Sequence, residues 1–498
     1  MTAIQGRPDP GDTQRRAANP ASSVWVSASA GTGKTKVLTD RVLSLLLTGT
    51  APRKILCLTF TRAAAAEMAN RVNRALADWA VMKEEELHEA IAGLTGAPPD
   101  DEAMGRARRL FAEVLEAPGG LKIQTIHAFC ESLLGRFPLE ANLEPHFQLM
   151  DERTATEIQS EARDYVLGRA RIGGDERLAQ ALAEVTSHSH EQDFLELMAK
   201  LSSSRGAIHG LIEQHGGIEA LERAVYARFG VEPAETVERL CEAASSDGVF
   251  NEVGLRRAAA AMIKGSKTDR ERGQVIADWL AATDTKRAQE IGDYLAVYFT
   301  QAGEERKKLI NKDADALDPR AVDVLSAEAG RLADLQARIR AAIVVRATTA
   351  LLRLGAALLD EYERLKSAHA RLDYDDLILR TRGLLDEGRG TPWVMYKLDE
   401  GIDHVLIDEA QDTNRDQWDI VQFLTHEFFA GAGARQVART VFAVGDPKQS
   451  IYSFQGAEPL AFANMRDQFH RNAEAAGCAW DDVALDISFR STEAVLGA

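Results

Sequence analysis

The sequence lacks the features of a secreted, disulfide-stabilised or membrane-embedded protein. Among its 498 residues are only four cysteines, whose spacing fits neither a disulfide framework nor a zinc or iron–sulfur site. No run of about 18 apolar residues is present, and the N-terminus has no apolar stretch typical of a signal peptide. We therefore expect a cytoplasmic protein with reduced thiols at Cys57, Cys130, Cys241 and Cys478.

Positive charge is also scarce, since the formal net charge is −17. A protein that only coats nucleic acid needs clustered lysine and arginine, so the overall charge argues against that class. Residues 53–74 are an exception, because they contain a single acid, Glu67, among five basic residues: Arg53, Lys54, Arg62, Arg71 and Arg74. A local basic strip of this kind keeps nucleic acid open as a ligand.

Hydrophobic patterns divide the chain into two kinds of region. From residue 24 to about 149, and again from about 401, short apolar strands alternate with helical stretches, as in a parallel sheet covered by helices. From about 152 to 385 strand signals are almost absent, and leucines recur at helical steps. We predict an α/β domain interrupted by a large all-helical insertion. The predicted strands are 24–27, 55–60, 122–124, 405–408, 441–445 and 483–487.

The segment ASAGTGKT, residues 28–35, follows a predicted strand and precedes a predicted helix. Loops of this kind cradle phosphates with backbone N–H groups, and the helix N-terminus adds positive charge. Lys34 can reach the β- and γ-phosphates of a nucleotide, and Thr35 can bind magnesium. The usual pattern begins with glycine, whereas this chain has alanine, which is small enough to keep the turn. The nucleotide-binding loop residues are Ala28, Ser29, Ala30, Gly31, Thr32, Gly33, Lys34 and Thr35.

A second segment, VLIDEAQD at residues 405–412, reads as an apolar strand that ends in two acids. Asp408 can hold magnesium through water, and Glu409 can orient or deprotonate the attacking water. Acids after a strand also cap helices, but a phosphate loop in the same chain disfavours that interpretation. The two segments together predict hydrolysis of a nucleoside triphosphate.

Three further segments follow predicted strands: TFTRAAAAEM at 59–68, TIHAFCESLLGRF at 125–137 and VGDPKQSIYSFQGA at 444–457. Ligands of an open parallel sheet bind at the carboxyl ends of its strands, so these loops share one edge with the nucleotide loop. Their hydroxyls suit phosphates, and Phe60, Tyr452 and Phe454 suit base stacking in single-stranded nucleic acid. Each aromatic taken alone would more often be a core residue.

The order of these segments, followed by LDISFRST at 485–492, resembles that of the UvrD/Rep group of superfamily 1 DNA helicases. Within that group, ASAGTGKT, TIHAFCESLLGRFPLEA and the long helical insertion look most like AddA-type helicase–nuclease subunits of bacterial double-strand-break repair. The resemblance implies a RecA-like P-loop core and a 3′-to-5′ helicase or translocase whose ATP hydrolysis single-stranded DNA stimulates. It further implies ATP and Mg²⁺ as cofactors. The implied partners are single-stranded DNA, duplex DNA ends and an AddB-like subunit.

The resemblance also implies roles for individual residues. Gln14 would read the adenine edge, and Lys36 and Phe489 would flank the adenine ring. Gln449 would sense the γ-phosphate, and Arg490 would reach it from a second motor domain, which completes a catalytic set with Lys34 and Glu409. Without the motif, His127 would more often be a structural histidine. The residues implied at single-stranded DNA are Thr59, Phe60, Thr61, Thr125, His127, Tyr452 and Phe454.

The resemblance divides the chain into a first motor domain at 1–150 and 386–475, a helical insertion at 151–385, and the start of a second motor domain at 476–498. Ser488 and Gln455 depart from the common asparagine and arginine of the family. Because eight residues follow Arg490, we expect an N-terminal portion that lacks later motor motifs and a nuclease domain and is poorly active alone. The alternatives are an ATP- and DNA-binding module without turnover, a plain UvrD-type helicase, or another P-loop ATPase such as a transporter subunit or a kinase.

Overall fold

A computed structural model describes residues 10–386, 392–399, 401–429, 438–450, 459–487 and Phe489. The chain divides into two compact units. The first combines Met1–Arg153 with Ser367–Ala498, and the second is Thr154–Lys366. A helical segment is thus inserted between the two halves of the first unit, as the strand pattern of the sequence predicts.

A six-stranded parallel sheet forms the centre of the first unit, with strand order β3-β2-β6-β7-β1-β8. The predicted α/β fold with a parallel sheet is confirmed, and the first residues of all but the last of these six strands lie within one residue of prediction. A separate two-stranded parallel sheet contains β4 and β5. The strands are β1 Ser23–Ala28, β2 Ile55–Thr59, β3 Lys122–Thr125, β4 Gln148–Leu149, β5 Arg371–Leu372, β6 His404–Ile407, β7 Thr440–Gly445 and β8 Trp480–Leu485.

Helices cover both faces of the six-stranded sheet, because side chains of a strand alternate between its faces. On β1, Val24 and Val26 pack into a core that also contains Leu38 of the following helix. Trp25 points to the opposite face and stacks on Trp418 with ring centroids 5.8 Å apart. The helices of the N-terminal half are α1 Pro10–Ala17, α2 Lys34–Leu47, α3 Arg62–Val81, α4 Glu84–Thr95, α5 Asp101–Glu116 and α6 Ile126–Arg136.

The second unit is helical, with a buried aromatic centre. The rings of Trp279 and Tyr294 stack at 3.9 Å between centroids, and the Tyr294 hydroxyl donates to Glu328 at 2.9 Å. Its helices are α7 Glu152–Ile172, α8 Glu176–His188, α9 Glu191–Ser203, α10 Arg205–His215, α11 Ile218–Phe229, α12 Val237–Ser245, α13 Glu252–Ile263, α14 Lys267–Ala281, α15 Asp284–Gln289, α16 Ile291–Tyr298, α17 Lys312–Asp315 and α18 Ala321–Ala368.

Helix α18 is long and apolar enough to cross a membrane by length and composition alone, with a window of mean hydropathy 1.7. That window is 39% buried, and core helices of soluble proteins pass the same test. Its apolar part contains two arginines that pair with other helices, Arg346 with Glu184 and Arg353 with Glu222. These ion pairs join α18 to other helices of the second unit.

The chain then returns to the first unit through α19 Tyr374–Leu385, α20 Pro392–Asp399, α21 Arg415–Thr425 and α22 Pro459–Ala475. A capping box of Asp373 and Asp376 starts α19. Leu377 and Ile378 of this helix share a core cluster with Leu133 of α6. Helix α19 therefore packs with the sheet, so the predicted insertion at 151–385 extends too far at its C-terminal end.

The pairing of strand β8 also contradicts one of the predicted domain boundaries. It pairs with β1 along its full length, from Trp480 opposite Ser23 to Leu485 opposite Ala28. Residues 480–485 are thus an edge strand of the first sheet, and the predicted boundary near residue 476 is wrong for this segment. Where a second motor domain begins stays a prediction.

Candidate nucleotide and DNA site

The loop between β1 and α2 has a compact, glycine-dependent shape. Gly31 and Gly33 have φ angles of 77° and 92°, in the left-handed region that favours glycine. The hydroxyl of Thr32, a residue that is 1% exposed, donates to the carbonyl of Ser29 at 2.9 Å and closes a turn. A Cβ atom on Gly33 would lie 2.9 Å from the side-chain nitrogen of Gln14, so the end of that side chain would have to shift.

The structure brings together the segment that contains Lys34 and the distant segment that contains Asp408 and Glu409. Lys34 is the first residue of α2, and its ammonium group lies 2.9 Å from a carboxylate oxygen of Glu409. The lysine side chain is 12% exposed and the glutamate 36%. The predicted phosphate-binding lysine and the predicted catalytic glutamate therefore occupy one site at the carboxyl edge of the sheet.

Asp408 is the buried member of the acid pair, with 8% of its surface exposed. Burial raises its pKa to about 6, and the charge of Glu409 adds to the shift. The backbone N–H of Glu409 donates to Asp408 at 3.0 Å. Glu409 itself has φ of 50°, a strained conformation for a residue with a side chain. A buried carboxylate held beside a second acid favours a nearby cation.

The residues around Asp408 fit magnesium that is bound together with a nucleotide. Mg²⁺ in phosphate sites usually takes one or two carboxylates and completes its shell with phosphates and water. Asp408 offers the carboxylate, and Thr35, in the first turn of α2, offers a hydroxyl. Within the described ranges, no group of three or more His, Cys, Asp or Glu residues could hold a metal by itself. The donor set therefore suits a metal shared with phosphates.

Gln411 is a residue of this site that the sequence analysis missed. It is 1% exposed, and its amide nitrogen donates to Glu409 at 2.8 Å. Its amide oxygen accepts from the backbone N–H of Asp446 at 2.9 Å, and the Asp446 carboxylate accepts from the side chain of Gln449. A continuous line of contacts thus runs from Lys34 to Gln449. The sequence gives no signal of this role for Gln411, because one of its partners, Asp446, follows a different strand.

The residues predicted to contact the adenine base are near the same loop. Gln14 is 8% exposed and donates to the carbonyl of Thr32 at 3.4 Å. The backbone N–H of Phe489 donates to the carbonyl of Gly31 at 2.9 Å, and the Phe489 side chain is exposed. Lys36 is exposed on the first turn of α2 and pairs with Asp40 at 2.5 Å. Gln14 and Phe489 therefore lie against the phosphate loop.

Three predicted DNA-contacting threonines lie where strands end and helices begin. Thr59 ends β2, and its hydroxyl donates to the carbonyl of Thr61 at 3.0 Å. The side chains of Thr61 and Thr125 are N-caps of α3 and α6, since they accept from Ala64 and Ala128. Two helix N-termini, which attract anions, are thus at the same sheet edge as the phosphate loop.

A small cleft lies between the residues that follow β2 and Asp408. Thr59 and Phe60 line it after β2, and Asp408 lines it after β6. Phe60 is half-buried. The cleft thus joins a predicted DNA-contacting segment to the predicted magnesium ligand.

His127 lies in the first turn of α6, edge-on to the ring of Tyr374 with centroids 5.7 Å apart. Burial lowers the pKa of His127, although the charge of Asp375 opposes the shift. The imidazole is therefore neutral at pH 7. Tyr374, at the start of α19, is 43% exposed. Its contact with His127 makes it a further candidate site residue, and sequence alone does not show that contact.

The other predicted site residues lie outside the described residues. These are Arg490, Tyr452 and Phe454, together with the family departures at Ser488 and Gln455. The roles given above to every site residue stay predictions.

Comparisons with known proteins show the family of this chain. The family model described as the UvrD/REP helicase N-terminal domain matches residues 11–470. The chain is 27% identical to an ATP-dependent helicase/nuclease subunit of Limosilactobacillus fermentum, over 93% of this chain and 34% of the relative. It is 27% identical to the protein of the same name from Pelotomaculum thermopropionicum, over 95% of this chain and 37% of the relative.

A third relative, the ATP-dependent helicase/nuclease subunit of the same name from Desulforudis audaxviator, is 29% identical over 96% of this chain and 38% of the relative. The chain therefore spans little more than a third of the length of these relatives. The family match covers both halves of the first unit and the helical insertion between them. The chain belongs to the UvrD/REP helicase family, in its N-terminal domain.

Proposed function

We propose that this chain is the ATP-hydrolysing part of a DNA helicase or translocase that acts in double-strand-break repair. The observation that carries the proposal is the ion pair of Lys34 and Glu409 beside the buried Asp408, at the sheet edge where α3 and α6 begin. ATP handling and DNA contact would thus share one edge of the sheet. Family membership supports the same function.

The residues of the site divide the work of hydrolysis. Lys34 would exchange Glu409 for phosphate oxygens, which frees the glutamate. Glu409 would then orient a water molecule and accept its proton as the water attacks the γ-phosphorus and the bond to ADP breaks. Asp408 and Thr35 would hold Mg²⁺, which supplies positive charge for the phosphates when bound. Gln449 would sense the γ-phosphate.

Coupling to DNA would use the contacts around Gln411. This side chain joins Glu409, after β6, to Asp446, after β7. A change at the glutamate therefore has a direct route to the segment that contains Gln449, and that segment precedes Tyr452 and Phe454. Motion of that segment would change its grip on a DNA strand.

The N-termini of α3 and α6 supply the proposed phosphate contacts, since backbone N–H groups at helix starts favour anions. Phe60 and His127 would lie against bases, and the exposed Tyr374 extends that surface. Closure by Arg490 from a second motor domain would couple hydrolysis to stepping in the 3′-to-5′ direction. Single-stranded DNA would then stimulate hydrolysis by favouring closure. Gln14, Lys36 and Phe489 would hold the base.

The relatives are named as a subunit of a helicase/nuclease. We extend the proposal to an AddB-like partner subunit, to duplex DNA ends as substrates, and to a cytoplasmic location. Since the chain spans little more than a third of the relatives' length, these 498 residues by themselves should hydrolyse ATP slowly.

Two measurements test the proposed function. Phosphate release by the product of the whole gene, under single-turnover conditions with enzyme in excess, should accelerate when single-stranded DNA is added. Strand displacement by the product of the whole gene should require a 3′ tail on the duplex. Hydrolysis that ignores DNA would refute the motor, whereas displacement from a 5′ tail would refute only the polarity.

A further inference from the structure

An aromatic and basic surface lies on α6 and α20, outside the site described above. Its central residues are in mutual contact. The guanidinium of Arg136 lies 5.2 Å from the ring centroid of Phe137, and Phe137 meets Trp393 edge-on at 6.5 Å. The ammonium of Lys397 lies 5.0 Å from the centroid of Trp393 and 6.0 Å from that of Tyr396. We call these five residues the α6–α20 surface.

Two large aromatic side chains of this surface face solvent. Trp393 is 50% exposed and Tyr396 is 60% exposed, whereas Phe137 beneath them is buried. Tryptophan and tyrosine exposed side by side usually mark a contact surface, because such rings contribute large energies when a partner covers them. The cations beside the rings indicate that the partner is negatively charged.

Two further basic residues extend the surface along the sheet. Lys122, the first residue of β3, lies opposite Leu56 of β2, and Arg53 precedes Leu56 by three residues. Burial lowers the pKa of Lys122, and the charges of Arg136 and Arg53 add to the shift, so the three cations lie near one another. Within the described part of the chain, ion pairs involve neither these three residues nor Lys397. Lys54, by contrast, pairs with Asp403.

The position of the surface separates it from the predicted motor loops. Thr125 caps the start of α6 at the carboxyl edge of the sheet, and Arg136 ends the same helix. Eleven residues separate the two ends by about 16 Å, at about 1.5 Å of rise per residue. Lys122 begins β3 at the amino edge. The α6–α20 surface therefore lies along α6, away from the phosphate loop.

We propose that the α6–α20 surface binds single-stranded DNA as a second contact, separate from the motor loops. Exposed rings beside cations are the combination that binds single strands, because bases stack on rings while cations hold phosphates. In a chain of net charge −17, a cluster of cations that forms no ion pair with the acids described in the structure would attract a polyanion locally. The choice of DNA as the ligand rests on the proposed function.

The test compares two lengths of oligodeoxythymidylate in equilibrium binding to the 498-residue chain. An oligomer of about 8 nucleotides should cover only the motor loops, whereas one of about 30 nucleotides should also reach the α6–α20 surface. The variants are Arg136→Glu with Lys397→Glu, and Trp393→Ala alone. The matched control is Arg228→Glu with Phe229→Ala, an exposed arginine and an exposed phenylalanine on α11. Melting curves check that each variant folds.

We expect Trp393→Ala to weaken binding of the long oligomer by about five- to hundredfold, as for the loss of one stacked base. Trp393→Phe should restore most of that loss. The double charge variant should lower the slope of log K against log salt by roughly 1.4, since each phosphate contact on a single strand contributes about 0.7. Binding of the short oligomer, and every property of the control variant, should stay at wild-type values.

The outcomes separate this inference from the proposed function. If the long oligomer binds the α6–α20 variants as it binds the wild type, the second contact is refuted and an acidic protein becomes the better partner. If the variants weaken both oligomers equally, the surface is not a separate contact and the inference also fails. If neither oligomer binds the wild type, both the inference and the proposed DNA motor fail.

Discussion

Lys34 and Glu409 are 375 residues apart in the chain, and their side chains form an ion pair of 2.9 Å. The pair joins the phosphate loop to the end of β6, so one nucleotide site is built from two distant segments. Each partner holds the other in a half-buried position, which preorganises both for phosphate and water. The two residues should nevertheless contribute to different steps.

Substitution of each partner should separate binding from hydrolysis. Lys34→Ala removes the cation that meets the phosphates, so nucleotide affinity should be lost. Glu409→Gln keeps the size of the side chain but removes the base, so nucleotide should still bind while hydrolysis falls by about 10²- to 10⁴-fold. A fluorescent ATP analogue measures binding, and single-turnover phosphate release measures hydrolysis. Lys83→Ala, on an exposed lysine, is the control. Equal loss of binding in both variants would refute the separate roles.

The pKa of Asp408 predicts a pH dependence of stability. Its pKa is about 6 in the folded protein, above the ordinary value for aspartate, so ionisation is disfavoured by folding. The free energy of unfolding should therefore decrease as pH rises from about 4 to about 6. Asp408→Asn removes this effect and should stabilise the first unit by up to about 3 kcal/mol at pH 7.

Denaturant unfolding at pH 4, 5, 6 and 7 measures the difference in the free energy of unfolding between wild type and Asp408→Asn. The gap should open between pH 4 and 6 and stay level above that range. Asp467→Asn, at an exposed aspartate of α22, should show no gap. Magnesium-dependent nucleotide binding should weaken below pH 6, because protons then compete with the metal. If the difference is the same at all four pH values, the pKa of Asp408 is not raised in the folded protein.

Much of the site follows from sequence because its main residues occur in short segments with a strand or helix beside them. Lys34, Asp408 and Glu409 are of this kind. The boundary at α19 was misplaced because an apolar stripe has the same period whether its helix packs on a sheet or on other helices. The sheet of β8 was misassigned because a strand pattern does not reveal which strand it pairs with. Gln411 was missed because a buried polar side chain has meaning only with its partners.

Gln411 should couple the nucleotide to the DNA-contacting loops. Gln411→Ala leaves Glu409 and the N–H of Asp446 without this partner, which should cost about 1 to 3 kcal/mol of stability. Single-stranded DNA should also lose its effect on nucleotide affinity. Gln422→Ala, on the half-buried glutamine of α21, is the control, since its contacts are with α22. If single-stranded DNA still changes the nucleotide affinity of Gln411→Ala as it does that of the wild type, Gln411 does not couple the two sites.

The N-cap of α6 predicts different effects for two substitutions of Thr125. Thr125→Ala removes an N-cap, so it should cost about 1 kcal/mol of stability and also weaken binding of single-stranded DNA. Thr125→Ser keeps the capping oxygen and should preserve both properties. Thr236→Ala removes an equivalent cap from α12 in the second unit, so it should lower stability without a change in DNA affinity. Unfolding curves and fluorescence anisotropy provide the two measurements.

The most direct test of the shared edge for ATP and DNA is the affinity of a fluorescent ATP analogue with magnesium, measured with and without single-stranded DNA. If the two sites are coupled, DNA should change the nucleotide affinity by about five- to hundredfold, and Lys34→Ala should remove binding under both conditions. An affinity that is the same with and without DNA, or that survives in Lys34→Ala, would contradict a DNA motor built on Lys34 and Glu409.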